Sequence, residues 1–293
     1  MTSLPALVAE ELALPVDPRV TAMAEAVAAL YPGAARAVLF YGSCLREAEL
    51  DGLMLDFYLI VSSYREAYGR GWYAFANRLV PPNVFPFEHD GLAAKYAVLS
   101  EADFLAENGP EAGTVSVWAR FAQPSRLVWA RDEAARETAV AAVSRAAPTL
   151  FGFALPMVAE AERADPLAVW RRGFALTYDS ELRAERKDRS GSIVDTEPER
   201  YRRFGTAALP LALPLAEDRA KRRWRRFRRK GKTMSLVRLA KATTTFAGGV
   251  DYIAWKINRH AGTEIVVKPW QRRWPILGAL TLLPRLLRRG AIR

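Results

Sequence analysis

Cysteine and histidine are nearly missing from this chain, and so is any long uninterrupted apolar run. The one cysteine, Cys44, rules out an internal disulfide and suits a reducing compartment. The two histidines, His89 and His260, lie far apart with no cysteine cluster nearby, which argues against structural zinc. No Ser-His-Asp or Cys-His arrangement is recognisable, so nucleophilic hydrolase chemistry is not expected. The opening segment, MTSLPALVAEELALPVDPR, lacks a basic leader and carries acids, unlike a secretory signal. The longest apolar candidate, WPILGALTLL at 274–283, falls far short of the roughly 20 residues that a spanning helix needs. A bilayer crossing is therefore not expected, whereas contact with a bilayer surface remains open.

Acids are missing from one place in particular. Residues 219–232, RAKRRWRRFRRKGK, hold ten Lys or Arg and no Asp or Glu. Without those ten charges the net +11 of the 293-residue chain falls to +1. A near-neutral body with one intensely basic strip seeks phosphate, on anionic lipid or on nucleic acid.

What is present reads as a mixed α/β (α+β) chain. Residues 18–31 have helical apolar spacing and end at Pro32-Gly33. Residues 36–41 (RAVLFY), 53–61 (LMLDFYLIV), 95–100 (KYAVLS) and 125–130 (SRLVWA) read as strands. Between the first two, Ser43 is placed to cap a short helix, as Ser100 is for the helix EADFLAE. Residues 64–79 and 115–123 are expected to be helical, and Pro81-Pro82 to break the chain. Long Ala- and Arg-rich helical segments follow at 132–147, 150–163 and 166–177, then a polar, turn-rich stretch at 179–192. The expected layout is an α/β domain over 1–131, a mostly helical domain over 132–250, and a basic amphipathic tail over 251–293.

The chemistry centres on FYGSCLREAELDGLMLDFYLIV, residues 40–61. A Gly-Ser pair, Gly42 and Ser43, closes one strand, and a lone carboxylate, Asp56, interrupts the apolar run of the next. Burying an unpaired charge is costly, so Asp56 calls for a partner, a metal or a ligand. A strand-terminal Gly-Ser followed by a strand Asp is the ground plan of a nucleotidyltransferase, with an N-terminal mixed sheet. Glycine lets backbone approach a triphosphate, while amides and a hydroxyl donate to its oxygens. The carboxylate would hold Mg²⁺.

Later segments extend this pattern. After FYGSC and MLDF come Asn77-Arg78-Leu79, KYAVLS, WARFAQP (118–124), LTYDSELRAERK (176–187), SGSIV (190–194) and VRLAKATTTFAGG (237–249). In that order they resemble the mitochondrial-type phosphatidate cytidylyltransferases, the translocator assembly and maintenance family, over residues 36–250. The resemblance implies an enzyme that makes CDP-diacylglycerol from CTP and phosphatidate, with Mg²⁺ and release of pyrophosphate. It implies triphosphate binding by Gly42 and Ser43, and metal binding by Asp56, with Asp56, Ser43 and Lys95 as the catalytic set. Arg120, Arg183 and Lys187 are further phosphate candidates, and Glu181 and Glu185 candidate supporting acids. Asn77 reads equally as a local cap or turn. One departure from the wider superfamily is that position 58, where a second acid is usual, holds Tyr. Asp51, Glu88, Asp90 and Glu181 are the candidates to replace it.

A phosphatidate enzyme must reach a bilayer. The last 25 residues hold six arginines, no acid, and an apolar centre flanked by Trp270 and Trp274. Tryptophan and arginine around an apolar centre make an interfacial composition. The docking residues expected are Trp270, Arg272, Arg273, Trp274, Leu282, Leu283 and Arg285. The strip 219–232 reinforces docking, with Trp224 and Phe227 entering the headgroup layer. The implied location is the cytoplasm, bound peripherally to the inner face of the cell membrane or the equivalent organelle membrane. No DNA is expected as a partner, and the oligomeric state is open. Two other readings stand beside this one: a nucleotidyltransferase or basic protein acting on RNA, its aromatics stacking on bases, and an inactive membrane-associated scaffold.

Overall fold

A computed structural model describes residues 2–47, 49–69, 71–79, 81–180, 189–245 and 266–270. Two N-terminal helices, α1 (Leu4–Leu12) and α2 (Pro18–Ala29), precede strands β1 (Ala35–Tyr41) and β2 (Met54–Val61). Asp17 caps α2 by accepting from the Arg19 amide, with Pro18 at the first helical position, where its missing N–H costs nothing. Helices α3 (Tyr64–Tyr68) and α4 (Trp72–Leu79) then lead to the hairpin β3 (Asn83–His89) and β4 (Leu92–Ser100). Next come α5 (Glu101–Glu107), the short α6 (Trp118–Phe121) and β5 (Ser125–Ala130). The remainder is helical: α7 (Glu133–Ser144), α8 (Ala146–Ala154), α9 (Pro166–Ser180), α10 (Arg189–Thr196), α11 (Pro198–Ala208) and α12 (Glu217–Thr245).

The five strands form one mixed sheet in the order β3-β4-β2-β1-β5, with β2 and β4 parallel and the other pairs antiparallel. Both faces are covered, which explains why β2 reads as a near-continuous apolar run rather than an alternation. Val38, Phe40, Phe57, Leu59, Tyr96 and Val98 pack in one cluster with α2. Leu39, Tyr58, Ile60, Ala97 and Leu99 face the other cluster, which runs without interruption through α1, α6 to α9 and α12. The mixed α/β class expected from the sequence is the one observed.

Several local expectations change. The helix expected over 64–79 is broken at Gly69, and the one expected over 115–123 reduces to the single turn of α6. Strand β3 is additional. Its Pro86 obscures it in sequence and is tolerated because β3 lies at the sheet edge, where a missing N–H leaves no ladder bond unmade. Ser100 caps α5 as expected, accepting from the Asp103 amide. Ser43 is not at the cap position expected: it is the first residue of a 3-10 turn, Ser43–Arg46, whose preceding residue is Gly42. The helical run Glu133–Met157 has the length and composition to cross a membrane, contrary to the expectation that no segment does. Most of it is buried inside the protein, with Leu150, Phe151 and Phe153 in the core.

The basic strip lies on α12 and is ordinary amphipathic helix. Ala220, Trp224, Phe227 and Gly231, spaced four, three and four apart, form a buried stripe. Trp224 donates its Nε1–H to the Phe153 carbonyl at 2.9 Å, and its ring meets Trp118, Phe153 and Phe227. Gly231 permits the closest approach, since a Cβ there would stand 2.1 Å from the Ser180 carbonyl oxygen at the end of α9. Trp224 and Phe227 are therefore core residues, which overturns their expected insertion into headgroups. The opposite side of α12 exposes Arg219, Arg222, Arg225, Arg226, Arg228 and Arg229, none in an ion pair among the described residues.

Candidate active site

The sheet register assembles the site. Tyr41 on β1 pairs with Asp56 on β2, and Asp56 pairs with Lys95 on β4. Directly paired residues share a sheet face, so the three side chains form a row across adjacent strands. Lys95 Nζ stands 2.7 Å from Asp56 Oδ1, with side-chain exposures of 28% and 23%. The pair is partly desolvated, hence stronger than a surface ion pair, yet still open to a ligand. At this distance the ammonium is a charge-assisted donor, and it satisfies the buried Oδ1. Asp56 thus has the partner its burial demanded.

Beside this row the chain turns sharply. Gly42 has φ 98° and ψ −166°, a region essentially confined to glycine. A Cβ there would lie 3.5 Å from Asp56 Oδ2, in the space in front of the carboxylate. The following 3-10 turn makes its first backbone bond from Leu45 N–H to the Gly42 carbonyl. The Ser43 and Cys44 amides precede that bond, as do the unsatisfied donors at the start of any helix. The Ser43 side chain is exposed. These are the donors that an anionic ligand in front of Asp56 would use.

Electrostatics place two more residues at the row. Burial first, then the Asp56 and Tyr58 side chains, push the Tyr41 phenol well above its ordinary range, while the Arg120 guanidinium acts against them. Arg120 sits on α6 and donates through Nη1 to the Ser116 carbonyl. The end of α6 is itself held by Arg200 of α11, which donates to the Ala122 carbonyl and forms a two-pronged pair with Glu11 of α1. Burial would lower the Arg200 pKa, but Glu11, with Tyr201 and Glu197, reverses this and the anchor stays charged. Burial and then the Asp56 charge raise the Cys44 thiol, with Lys95 opposing. Cys44 is held as a thiol rather than a reactive thiolate.

The structure thus brings together Gly42, Ser43, Asp56, Lys95 and Arg120 from the sequence-derived set. Arg183, Lys187, Glu181 and Glu185 lie outside the described residues. Of the tail, Trp270 is described and exposed, while Arg272, Arg273, Trp274, Leu282, Leu283 and Arg285 lie outside. Asn77 is a clamp: its Nδ2 donates to the Val98 carbonyl at 2.9 Å, and its Oδ1 accepts from the Asn83 amide. Tyr41 was not singled out from sequence, although its place just before Gly42 was the available signal.

Position 58, where the resemblance would lead one to expect a second acid, holds Tyr for a packing reason. Tyr58 is buried, with ring contacts to Tyr41, Phe104 and Phe121, so position 58 belongs to the aromatic core. Among the replacements, Asp51 pairs with Arg19 at the start of α2, and Asp90 lies in the β3–β4 turn, 3.5 Å from His89. Glu88 is exposed on β3. Among the described residues no group of three or more His, Cys, Asp or Glu gathers for a metal. The donor set nevertheless suits Mg²⁺, which uses one or two carboxylates and takes its other ligands from phosphate and water. Asp56 supplies a hard oxygen of that kind.

No family model matches the chain, and no curated protein matches it.

Proposed function

We propose that this chain is a nucleotidyltransferase that joins CTP to phosphatidate at a membrane surface, giving CDP-diacylglycerol and pyrophosphate. The observation that carries the reading is the convergence of a glycine-only turn, the exposed Ser43, and a partly buried Asp56–Lys95 pair at one end of the sheet. The identities of base and lipid rest on the resemblance in the motifs.

In the reaction, a phosphate oxygen of phosphatidate attacks the α-phosphorus of CTP. The new P–O bond forms as the bond to the β-phosphate oxygen breaks, and pyrophosphate leaves with the electron pair. The nucleophile is already anionic, so the protein needs alignment and charge neutralisation more than a general base. Mg²⁺, when bound at Asp56, supplies neutralisation of the phosphate oxygens. Ser43 and the turn amides orient the triphosphate. Lys95 brings a positive charge to the same point, and Arg120 a second one from α6.

The RNA reading loses its stacking platform, because Trp224 and Phe227 are in the core. The decisive assay measures pyrophosphate release with Mg²⁺ and each of the four nucleoside triphosphates, with and without phosphatidate vesicles. Release that requires both CTP and phosphatidate is the expected result. Turnover on RNA instead would transfer the chain to the RNA reading, and silence throughout would leave the scaffold.

A further inference from the structure

The aromatics suited to a bilayer lie on another element. Helix α4 leaves Trp72 65%, Phe75 59% and Leu79 68% exposed, although it is held firmly. Positions 72, 75 and 79 fall on one helical face, and the Trp72 and Phe75 rings brace each other at 5.8 Å. Ala76 and Asn77 are buried beneath. The Asn77 clamp ties the helix to β3 and β4, and Asn83 Nδ2 donates to the Tyr73 carbonyl at 3.0 Å. A rigid helix that presents Trp, Phe and Leu outward marks a contact site.

Charge indicates what covers it. The segment from Ala67 to Phe87 contains no Asp or Glu. Arg78 within it and Arg65 just before it are exposed and make no ion pair among the described residues, and exposed Glu66 and Glu88 stand outside its two ends. A second copy would bring the same arginines together across a two-fold contact, and one short helix is too small for a stable dimer interface. An anionic bilayer meets both features at once, with phosphates for arginine and an apolar layer for Trp, Phe and Leu. The unpaired cations of α12 are a second element with the chemistry to bind anionic lipid.

We propose that α4 is a membrane-inserting element of this protein. Trp72, Phe75 and Leu79 enter the interface of an anionic bilayer, while Arg65 and Arg78 meet the headgroup phosphates. The proposal rests on the reading above only in that a lipid acceptor requires bilayer contact.

The test is vesicle co-sedimentation without nucleotide or Mg²⁺, comparing the full chain with a Phe75→Ser/Leu79→Ser variant. Vesicles are phosphatidylcholine with phosphatidylglycerol, or phosphatidylcholine alone. Thermal unfolding and solution mass are measured on both proteins. The expected result is binding to the anionic vesicles that weakens about tenfold in the variant, with unfolding midpoint and mass unchanged. In about 1 M salt, where the screening length is ~3 Å, the wild type should still outbind the variant. Equal binding by the two proteins would overturn the proposal, as would no binding by the wild type. A change in mass without a change in vesicle binding would assign the face to a second copy and also overturn it. Because nucleotide is absent, failure here is separate from failure of the pyrophosphate assay.

Discussion

The row at the end of the sheet and the outer side of α12 both carry charge, but they hold it in opposite ways. At the row, Asp56 and Lys95 are few, paired and partly removed from water. Along α12 the arginines are many, solvated and unpaired. Desolvated charge in fixed geometry acts individually, whereas solvated charge acts collectively and is screened by salt. The first arrangement suits chemistry on one phosphate, and the second suits adhesion to many.

This contrast predicts a graded set of responses. Asp56→Asn, which keeps shape and removes charge, should lower turnover by about a thousandfold, with secondary structure intact by circular dichroism. A folded Asp56→Asn protein at full activity would remove the row from the chemistry. Trp224→Ala should cost about 3–5 kcal/mol of stability in denaturant unfolding, because a buried tryptophan is lost. A loss below ~1 kcal/mol would mean that the aromatics of the strip are not core after all. Gly42→Ala should cost about 1–3 kcal/mol through backbone strain and reduce nucleotide affinity along with it. Unchanged affinity would separate the turn from the site. Smallest of all, Arg225→Gln should weaken binding to anionic vesicles by no more than about 1 kcal/mol. That difference should disappear at high salt. A large effect from this one arginine would make α12 a specific site, and the contrast would fail.

Much of the site was legible because its parts are local. Gly42, Ser43 and Asp56 declare themselves by a strand-turn-strand pattern in a single stretch. Lys95, expected from the resemblance in the motifs, meets Asp56 through the parallel pairing of β2 with β4, a long-range contact that residue order alone does not give. Strand β3 was hidden by Pro86, a residue that opposes strands except at an edge, and edges are set by the whole sheet. The aromatics show the opposite difficulty. Trp224 and Phe227 looked exposed among arginines, yet their spacing with Ala220 and Gly231 makes a buried stripe. Phe75 and Leu79 looked like ordinary helix residues, and their exposure follows from which side Asn77 clamps. Composition located the charge correctly. It could not say which aromatic faced it.

The most direct test of the account is calorimetric titration of CTP into wild type and Asp56→Asn, each with Mg²⁺ and with EDTA. The account predicts binding by the wild type that requires Mg²⁺ and is lost in the variant. Equal Mg²⁺-dependent binding by both proteins would contradict it, and would place the nucleotide away from the end of the sheet.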